Sequence, residues 1–390
     1  MSFSSNFESD SLTRQELISQ TEECFEEANY KISKIQNSSC IDIIAEQSDN
    51  IGIEENFTNN NANIRIFLKI LGNLNTFKDK QSKDIRLLSH IGGGVPLLIA
   101  SRYSKNKQLE NGIVYNRYTI SSINLKTLAL LLKNNIKPTQ IAIRGKNEPL
   151  VSINGLELEN YVKSLENLTQ SEICQKLNIS RQSLTAYQKE TIKPTITKYK
   201  ELVTFLGNNL KERSLKEIDK KLRKPLALFI TNNNDLDIDY KAFDDLNSIT
   251  NNDLKIKINK HLEKLKFNKF WFQSLPWDGL ITYQERKQLG GINPYQEPYT
   301  RKVFTGVVDN QTEPDLYKKR LEKSSKIFEF LNQKGIWLID SEDLSNINED
   351  NIRTKNIFIM PTEEFFDIKE SRKMKRQIND TLQKKNDNEH

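Results

Sequence analysis

The sequence predicts a mixed chain in which a small all-helical unit lies between two small α/β units. Three observations carry this. From Asn154 to Leu210, apolar residues recur at helical spacing and capping residues stand at the breaks. On either side of that stretch, helices and strands follow one another in the same order. At 390 residues the chain is also long enough for two or three domains. The expected division is 1–150 for the first α/β unit and 154–210 for the helical unit. A basic and then Asn-rich linker follows at 211–252, a second α/β unit at 253–377 and a disordered tail at 378–390.

In the first unit, Leu12, Leu17, Ile18, Thr21, Cys24, Phe25 and Ala28 have the spacing of an amphipathic helix. Residues 30–46 read as extended segments. Residues 63–71 form an apolar run without alternation, as in a strand covered on both faces. A helix over 77–91, a strand over 95–102 and a helix over 122–134 complete the unit. Gly92, Gly93 and Gly94 lie between helix and strand. A phosphate-binding loop needs the reverse order, strand before glycines before helix, so these glycines read as a helix C-cap and turn.

The helical unit begins with Leu156, Tyr161, Val162 and Leu165, which supply a first helix. Thr169 then stands three residues before Glu172, the spacing of a capping box. Ile173 and Leu177 give that second helix a buried face, and Cys174 is small where two helices cross closely. Asn178 takes the turn, because it tolerates left-handed backbone. Ile179 plugs the turn, Ser180 caps a third helix, and Leu184 and Tyr187 anchor it. Pro194, Ile196, Tyr199, Leu202, Val203 and Leu206 predict a last helix ending at Gly207.

Residues 169–188 thus resemble the helix-turn-helix of the Cro and lambda-repressor type, in which the second helix of the motif enters the major groove. The side chains this reading assigns to DNA are Thr169, Gln170, Ser180, Arg181, Gln182, Ser183, Thr185, Gln188 and Lys189. Arg181 and Gln182 are the types that bond guanine and adenine edges in pairs. Gln170 and Lys189 are placed to meet phosphates. Many such motifs continue with a Glu, a basic residue and a Gly after the tyrosine. Here Gln188, Lys189 and Glu190 stand there, which leaves the exit from the helix open. The competing reading is an ordinary helical hairpin. The basic stretch 211–224 follows directly. It reads either as a phosphate-tracking segment or as a solvated helix with ion pairs four residues apart.

The second α/β unit repeats the order of the first. A helix is expected over 253–265, extended chain over 267–283, strands over 301–309 and 334–343, a helix between them, and a further strand near 355–365. Thr305 lies 27 residues after Asp278, as Lys69 does after Asp42. Asp42 on one strand and Lys69 on the next resemble the PD-(D/E)xK nuclease fold. There an Asp and an acid two residues before a Lys hold a divalent metal that activates water. Here Phe67 replaces the acid, and Val303, Phe304 and Thr305 retain neither acid nor Lys. The fold expected is therefore nuclease-like with lost chemistry.

Taken together, the stretches 64–77, 87–102, 109–128 and 169–188 resemble a family of archaeal helix-turn-helix transcriptional regulators. In that family a lambda-repressor-like motif sits between two degenerate restriction-endonuclease-like α/β domains. The resemblance implies a cytoplasmic, double-stranded DNA-binding regulator of transcription, expected as a homodimer. It implies no catalytic residues, metal or cofactor, and leaves any small-molecule or protein effector unnamed. The rival reading is a metal-dependent nuclease using Asp42, Lys69 and an acid of the first helix, Glu22 or Glu26. A third is a protein-binding scaffold.

Composition sets outer bounds. The chain is 36% hydrophobic and 28% charged, with a net charge of +6, which permits nucleic-acid binding without demanding it. No run approaches the length of a membrane span. Cys24, Cys40 and Cys174 are widely spaced, as are His90, His261 and His390, so neither a zinc site nor a nucleophile–histidine pair assembles. Trp271, Phe272, Trp277, Tyr283, Tyr295 and Tyr299 are either core and turn residues or a surface that stacks bases or covers a partner. Residues 284–300 read as an exposed loop, and the basic stretch 371–385 as a frayed tail.

Overall fold

The computed structural model describes residues 13–35, 38, 40–47, 65–133, 141–165, 167–210, 213–224, 252–272, 275–285, 299–308, 313–340 and 356–383. The Asn-rich stretch, most of the expected loop at 284–300 (Tyr295 included) and His390 lie outside them. The chain divides into two compact units. One consists of residues 1–32, 45–78 and 95–231, the other of residues 33–44, 79–94 and 232–390.

Helix α1 (Arg14–Glu27) opens on a capping box between Thr13 and Glu16 and buries Leu17, Thr21, Cys24 and Phe25. Eight strands form one sheet: β1 (Tyr30–Lys34), β2 (Ile43–Gln47), β3 (Arg65–Asn73), β4 (Gly94–Ser104), β5 (Lys107–Gln108), β6 (Ile113–Arg117), β7 (Ile120–Ile123) and β8 (Ala142–Ile143). Their order is β1-β2-β3-β4-β7-β6-β8, with β5 paired to β4. Every side chain from Ile66 to Leu71 is buried, as expected of a strand covered on both faces. Arg65 on β3 pairs with Glu46 on β2 at 2.8 Å. Helices α2 (Asp79–Ile91) and α3 (Leu125–Leu132) stand where the periodicity places them. Gly93 leaves α2 with φ 65°, so the glycine run is a helix exit.

The helical part holds α4 (Gly155–Lys163), α5 (Gln170–Lys176), α6 (Arg181–Gln188), α7 (Ile196–Asn209) and α8 (Leu215–Leu222). They share one core, centred on Leu158, Tyr161, Ile173, Leu184, Tyr199 and Leu206. Three expectations are corrected here. Leu156 is 65% exposed, because the buried stripe of α4 runs through Leu158, Tyr161 and Leu165, and a residue two before Leu158 points away from it. Gly207 lies inside α7 rather than after it: a Cβ there would come within 2.2 Å of Leu215, so the glycine lets α8 pack closely. Residues 213–224 are no linker, since α8 drives Ile218 and Leu222 into the same core. Its outer face carries the ion pairs Glu217–Lys221 and Asp219–Arg223.

In the second unit, α9 (Asp253–Lys264), β9 (Asn268–Trp271), β10 (Gly279–Glu285), β11 (Tyr299–Val308), α10 (Pro314–Phe330), β12 (Gly335–Ile339), β13 (Ile357–Pro361), α11 (Thr362–Asp367) and α12 (Ser371–Gln383) follow in order. The sheet runs β13-β12-β11-β10-β9. β9, β10 and β11 are antiparallel neighbours, whereas β12 and β13 are added in parallel. The expected repeat is visible in topology: helix, three neighbouring strands, helix, then a strand beside the third. One face of the sheet buries Val303, Ile336 and Leu338 with Ile258 and Leu262 of α9 and Met374 of α12. The other stacks Phe304 on Phe328 at 4.6 Å, with Trp277 at 5.1 Å from each. Trp271, Phe272, Trp277 and Tyr283 are thus core residues. The frayed tail is corrected for residues 371–383, which are helical because Met374 is buried and Lys375 lies over the Phe267 and Tyr283 rings.

Candidate nucleic-acid interface

Helices α5 and α6 are short, and each is held by its first residues. The Thr169 hydroxyl accepts from the Glu172 amide at 3.3 Å, and the Glu172 carboxylate accepts from the Thr169 amide at 2.7 Å. The Thr169 amide and hydroxyl hold that exposed carboxyl below the usual glutamate range. Leu177 closes α5, and its carbonyl, an orphan of the helix end, accepts from Lys198 Nζ at 3.0 Å. Asn178 then turns the chain with φ 49°, as its residue type predicts. Ile179 packs on the shared core. Ser180 caps α6 by accepting from the Ser183 amide at 2.9 Å, and the two serine hydroxyls also bond at 2.9 Å.

Three of the nine predicted contact residues therefore already hold helix ends: Thr169, Ser180 and Ser183. The other six differ. Gln170, Arg181, Gln182 and Lys189 are exposed, and Thr185 and Gln188 are half-buried. None of their side chains makes a hydrogen bond or ion pair to a described residue. Leu184 and Tyr187 are buried, which fixes the opposite face of α6 outward. No acidic residue lies between Arg181 and Lys189, while Lys176 and Lys193 are exposed nearby. The arrangement suits an anionic partner with hydrogen-bonding edges.

The exit from α6 is built by a residue the sequence reading left open. Glu190 takes φ 56°, where related motifs place glycine. Its carboxylate accepts from the Gly155 amide at 3.1 Å and from Lys224 at 2.5 Å, ties that hold its pKa below the usual glutamate range. Those ties join the start of α4, the end of α6 and the second residue after α8. A Cβ on Gly155 would lie 2.0 Å from the Gln188 carbonyl, so α4 and α6 meet where only glycine fits. Gly155 and Glu190 form a pair 35 residues apart, for which no local sequence signal exists.

Two of the three acidic candidates of the first α/β part, Asp42 and Glu22, are buried. Asp42 is 6% exposed and lies just before β2 rather than on it, and Lys69 on β3 is 4% exposed. Glu22 is buried and Glu26 exposed, which separates the two α1 candidates. Phe67, where a metal site needs an acid, is fully buried. Among the described residues no group of three His, Cys, Asp or Glu side chains is arranged to hold a metal. Asp278 has a different environment. Its carboxylate meets Lys255 at 2.5 Å, Arg320 at 2.7 Å and the Val307 amide at 2.7 Å. Burial pushes its carboxyl pKa up, but Arg320, Lys255 and the amide outweigh burial and hold it below the usual range. A carboxylate already neutralised by two cations does not attract a metal ion.

Residues 14–138 match the PD-(D/E)XK superfamily domain. A PD-(D/E)XK domain is thus present in the first α/β part. Over most of its length the chain is also similar to archaeal proteins that bear the name "Putative HTH-type transcriptional regulatory protein". That of Thermococcus kodakarensis is 24% identical over 92% of this chain and 94% of its own. The Pyrococcus horikoshii protein is 24% identical over 95% and 98%, and the Pyrococcus abyssi protein 21% identical over 96% and 100%. No solved structure matches the chain. No helix among the described residues is long and apolar enough to cross a membrane.

Proposed function

We propose that the protein is a sequence-specific, double-stranded DNA-binding regulator of transcription, acting in the cytoplasm as a homodimer through a helix-turn-helix at 169–188. The observation that carries this reading is the outer face of α6: Arg181, Gln182, Thr185 and Lys189 lie on a helix whose other face is buried, and their side chains make no hydrogen bond or ion pair to a described residue. The names of the archaeal relatives support it. Arg181 and Gln182, in the first turn of α6, read base edges, while Gln170 and Lys189 meet phosphates on either side. Two copies would place two such helices on half-sites about one helical turn apart. The test is selection of bound duplexes from a random pool, followed by titration at several salt concentrations. A preferred inverted repeat, with affinity falling steeply as salt rises, is expected. Light scattering that gives a strict monomer both free and on DNA would remove the dimer.

The superfamily match at 14–138, with Asp42 and Lys69 both buried, favours one second reading, a metal-dependent nuclease. Phe67 argues against it, since a hard cation needs several oxygen ligands. We expect duplex, nicked and branched DNA to survive incubation with the protein and Mg²⁺ or Mn²⁺. Cleavage that Asp42→Ala abolishes would promote the enzyme.

A further inference from the structure

A pocket of about 580 Å³ opens at the edge of the first unit's sheet, within the usual ~300–1,000 Å³ of small-molecule sites. None of the nine residues proposed to contact DNA lines it. Its walls come from the β4–β5 hairpin, β6 and the turn after β8. Tyr103 of β4 is 40% exposed and leans on buried Tyr115 of β6, with ring centroids 5.6 Å apart. Lys107, Arg144 and Lys146 bring three cations, and Asn116 adds an amide. The acid in the lining is Glu110, which pairs with Arg144 at 3.2 Å and accepts from the Tyr115 hydroxyl at 3.4 Å. Lys107 and Lys146 make no ion pair to a described residue, so the pocket is left with positive charge beside an open aromatic face.

We propose that this pocket binds a small anion carrying a flat ring, of the class of a free mononucleotide, and that its occupancy is felt by the helical part. The ring would lie on Tyr103, and the phosphate would be met by Lys107, Arg144 and Lys146. The connection to the helices is short. The Arg144 amide donates to the Val114 carbonyl at 2.7 Å, which fixes the start of the 144–149 turn on β6. Gly145 closes that turn so tightly that a Cβ would lie 2.2 Å from the Glu148 carbonyl. Leu150 then pairs back to Ile143 at 2.7 and 2.8 Å. The Val151 amide donates to the Pro194 carbonyl at 3.0 Å, and the Ile196 amide to the Pro149 carbonyl at 2.8 Å. One strap therefore carries both the cationic rim of the pocket and the start of α7. A ligand that draws Arg144 and Lys146 inward favours one setting of that strap over others.

The pocket stands independently, whereas its effect on DNA rests on the proposed function. Calorimetric titration of the full chain with adenosine monophosphate tests the pocket alone. Saturable binding is expected, roughly tenfold or more weaker for adenosine or inorganic phosphate alone. Tyr103→Ala and Lys146→Glu should each weaken it by a similar factor, while Tyr103→Phe retains it. These side chains are exposed, and circular dichroism checks that the variants fold. No saturable binding, affinity unchanged in both variants, or binding of a single-stranded oligonucleotide but not of the monophosphate would overturn the site. The second arm repeats the DNA titration with saturating monophosphate. A changed affinity is expected, lost in Lys146→Glu, and an unchanged one overturns the coupling. Absence of DNA binding with and without monophosphate refutes the DNA reading and with it the coupling, while the calorimetric result still decides the pocket.

Discussion

Arg181 opens α6 and Asp278 directly precedes β10, and their charges are used in opposite ways. In the helical part, α6 is held from within by Leu184 and Tyr187 and capped by Ser180, and the side chains on its far face make no hydrogen bond or ion pair to a described residue. In the second α/β part, Asp278 is 5% exposed, and two cations and an amide occupy its oxygens. Cavity, cap and core terms do not depend on the Arg181 side chain, so its charge is available to a partner. The charge of Asp278 is committed to the fold. The contrast separates two kinds of charged residue that sequence patterns treat alike. It predicts that stability and binding respond to different substitutions.

The largest effect is expected at Asp278. Asp278→Asn keeps the volume but turns an amide N–H₂ toward Lys255 or Arg320 and leaves the cations without a counter-charge. Breaking a buried pair from one side costs ~3–5 kcal/mol. All three tryptophans, Trp271, Trp277 and Trp337, lie in this part, so urea unfolding followed by tryptophan fluorescence reads it selectively. The same carboxylate makes a pH prediction. Its folded pKa is depressed, so its contribution is fully present above the unfolded value of ~3.9 and is lost as pH falls below that toward the folded pKa. In Asp278→Asn that part of the acid sensitivity should disappear. Wild-type stability in the variant would show that the ion cluster is not structural and would break the comparison at its second term.

Next comes Arg181. Arg181→Ala should leave unfolding unchanged and cost ~1–3 kcal/mol on the preferred duplex, with relaxed choice at one base pair. Competition between cognate and scrambled duplexes measures both. Retained affinity and selectivity would mean that α6 is not the reader, and a protein-binding role for the helical part would move ahead.

How far the sequence carried this reading follows from the range of the interactions involved. The caps at Thr169 and Ser180, the turn at Asn178 and the buried Leu184 rest on contacts within four residues or on one residue's backbone preference, and all were legible. So was the repeated order of helices and strands. What escaped depends on pairs distant in sequence. Glu190 and Gly155 explain each other only once α4 and α6 touch. Nothing local marks Lys255 or Arg320 as partners of Asp278, to which the fold brings both. Residues 213–224 looked like a linker because their charge outweighs Ile218 and Leu222, the two side chains that dock α8. The pocket beside Tyr103 and Arg144 joins residues up to 43 positions apart from three strands and a turn, and no local pattern marks it.

The smallest effect is expected at Lys189, and it sharpens the comparison within α6 itself. Lys189 is exposed, follows the last residue of the helix and has no described partner. Its ammonium is a compact charge on a flexible stem, suited to a phosphate rather than to the paired edges of a base. Removing it should release one fewer counterion on binding. Lys189→Ala should therefore weaken cognate and scrambled duplexes about equally and flatten the plot of log affinity against log salt by about one unit. Unfolding should not change. The measurement is a binding titration of both duplexes at four or more salt concentrations, beside Arg181→Ala. If Lys189→Ala instead changes selectivity and Arg181→Ala only the salt slope, the helix lies in the groove the other way round, with its C-terminal end toward the bases.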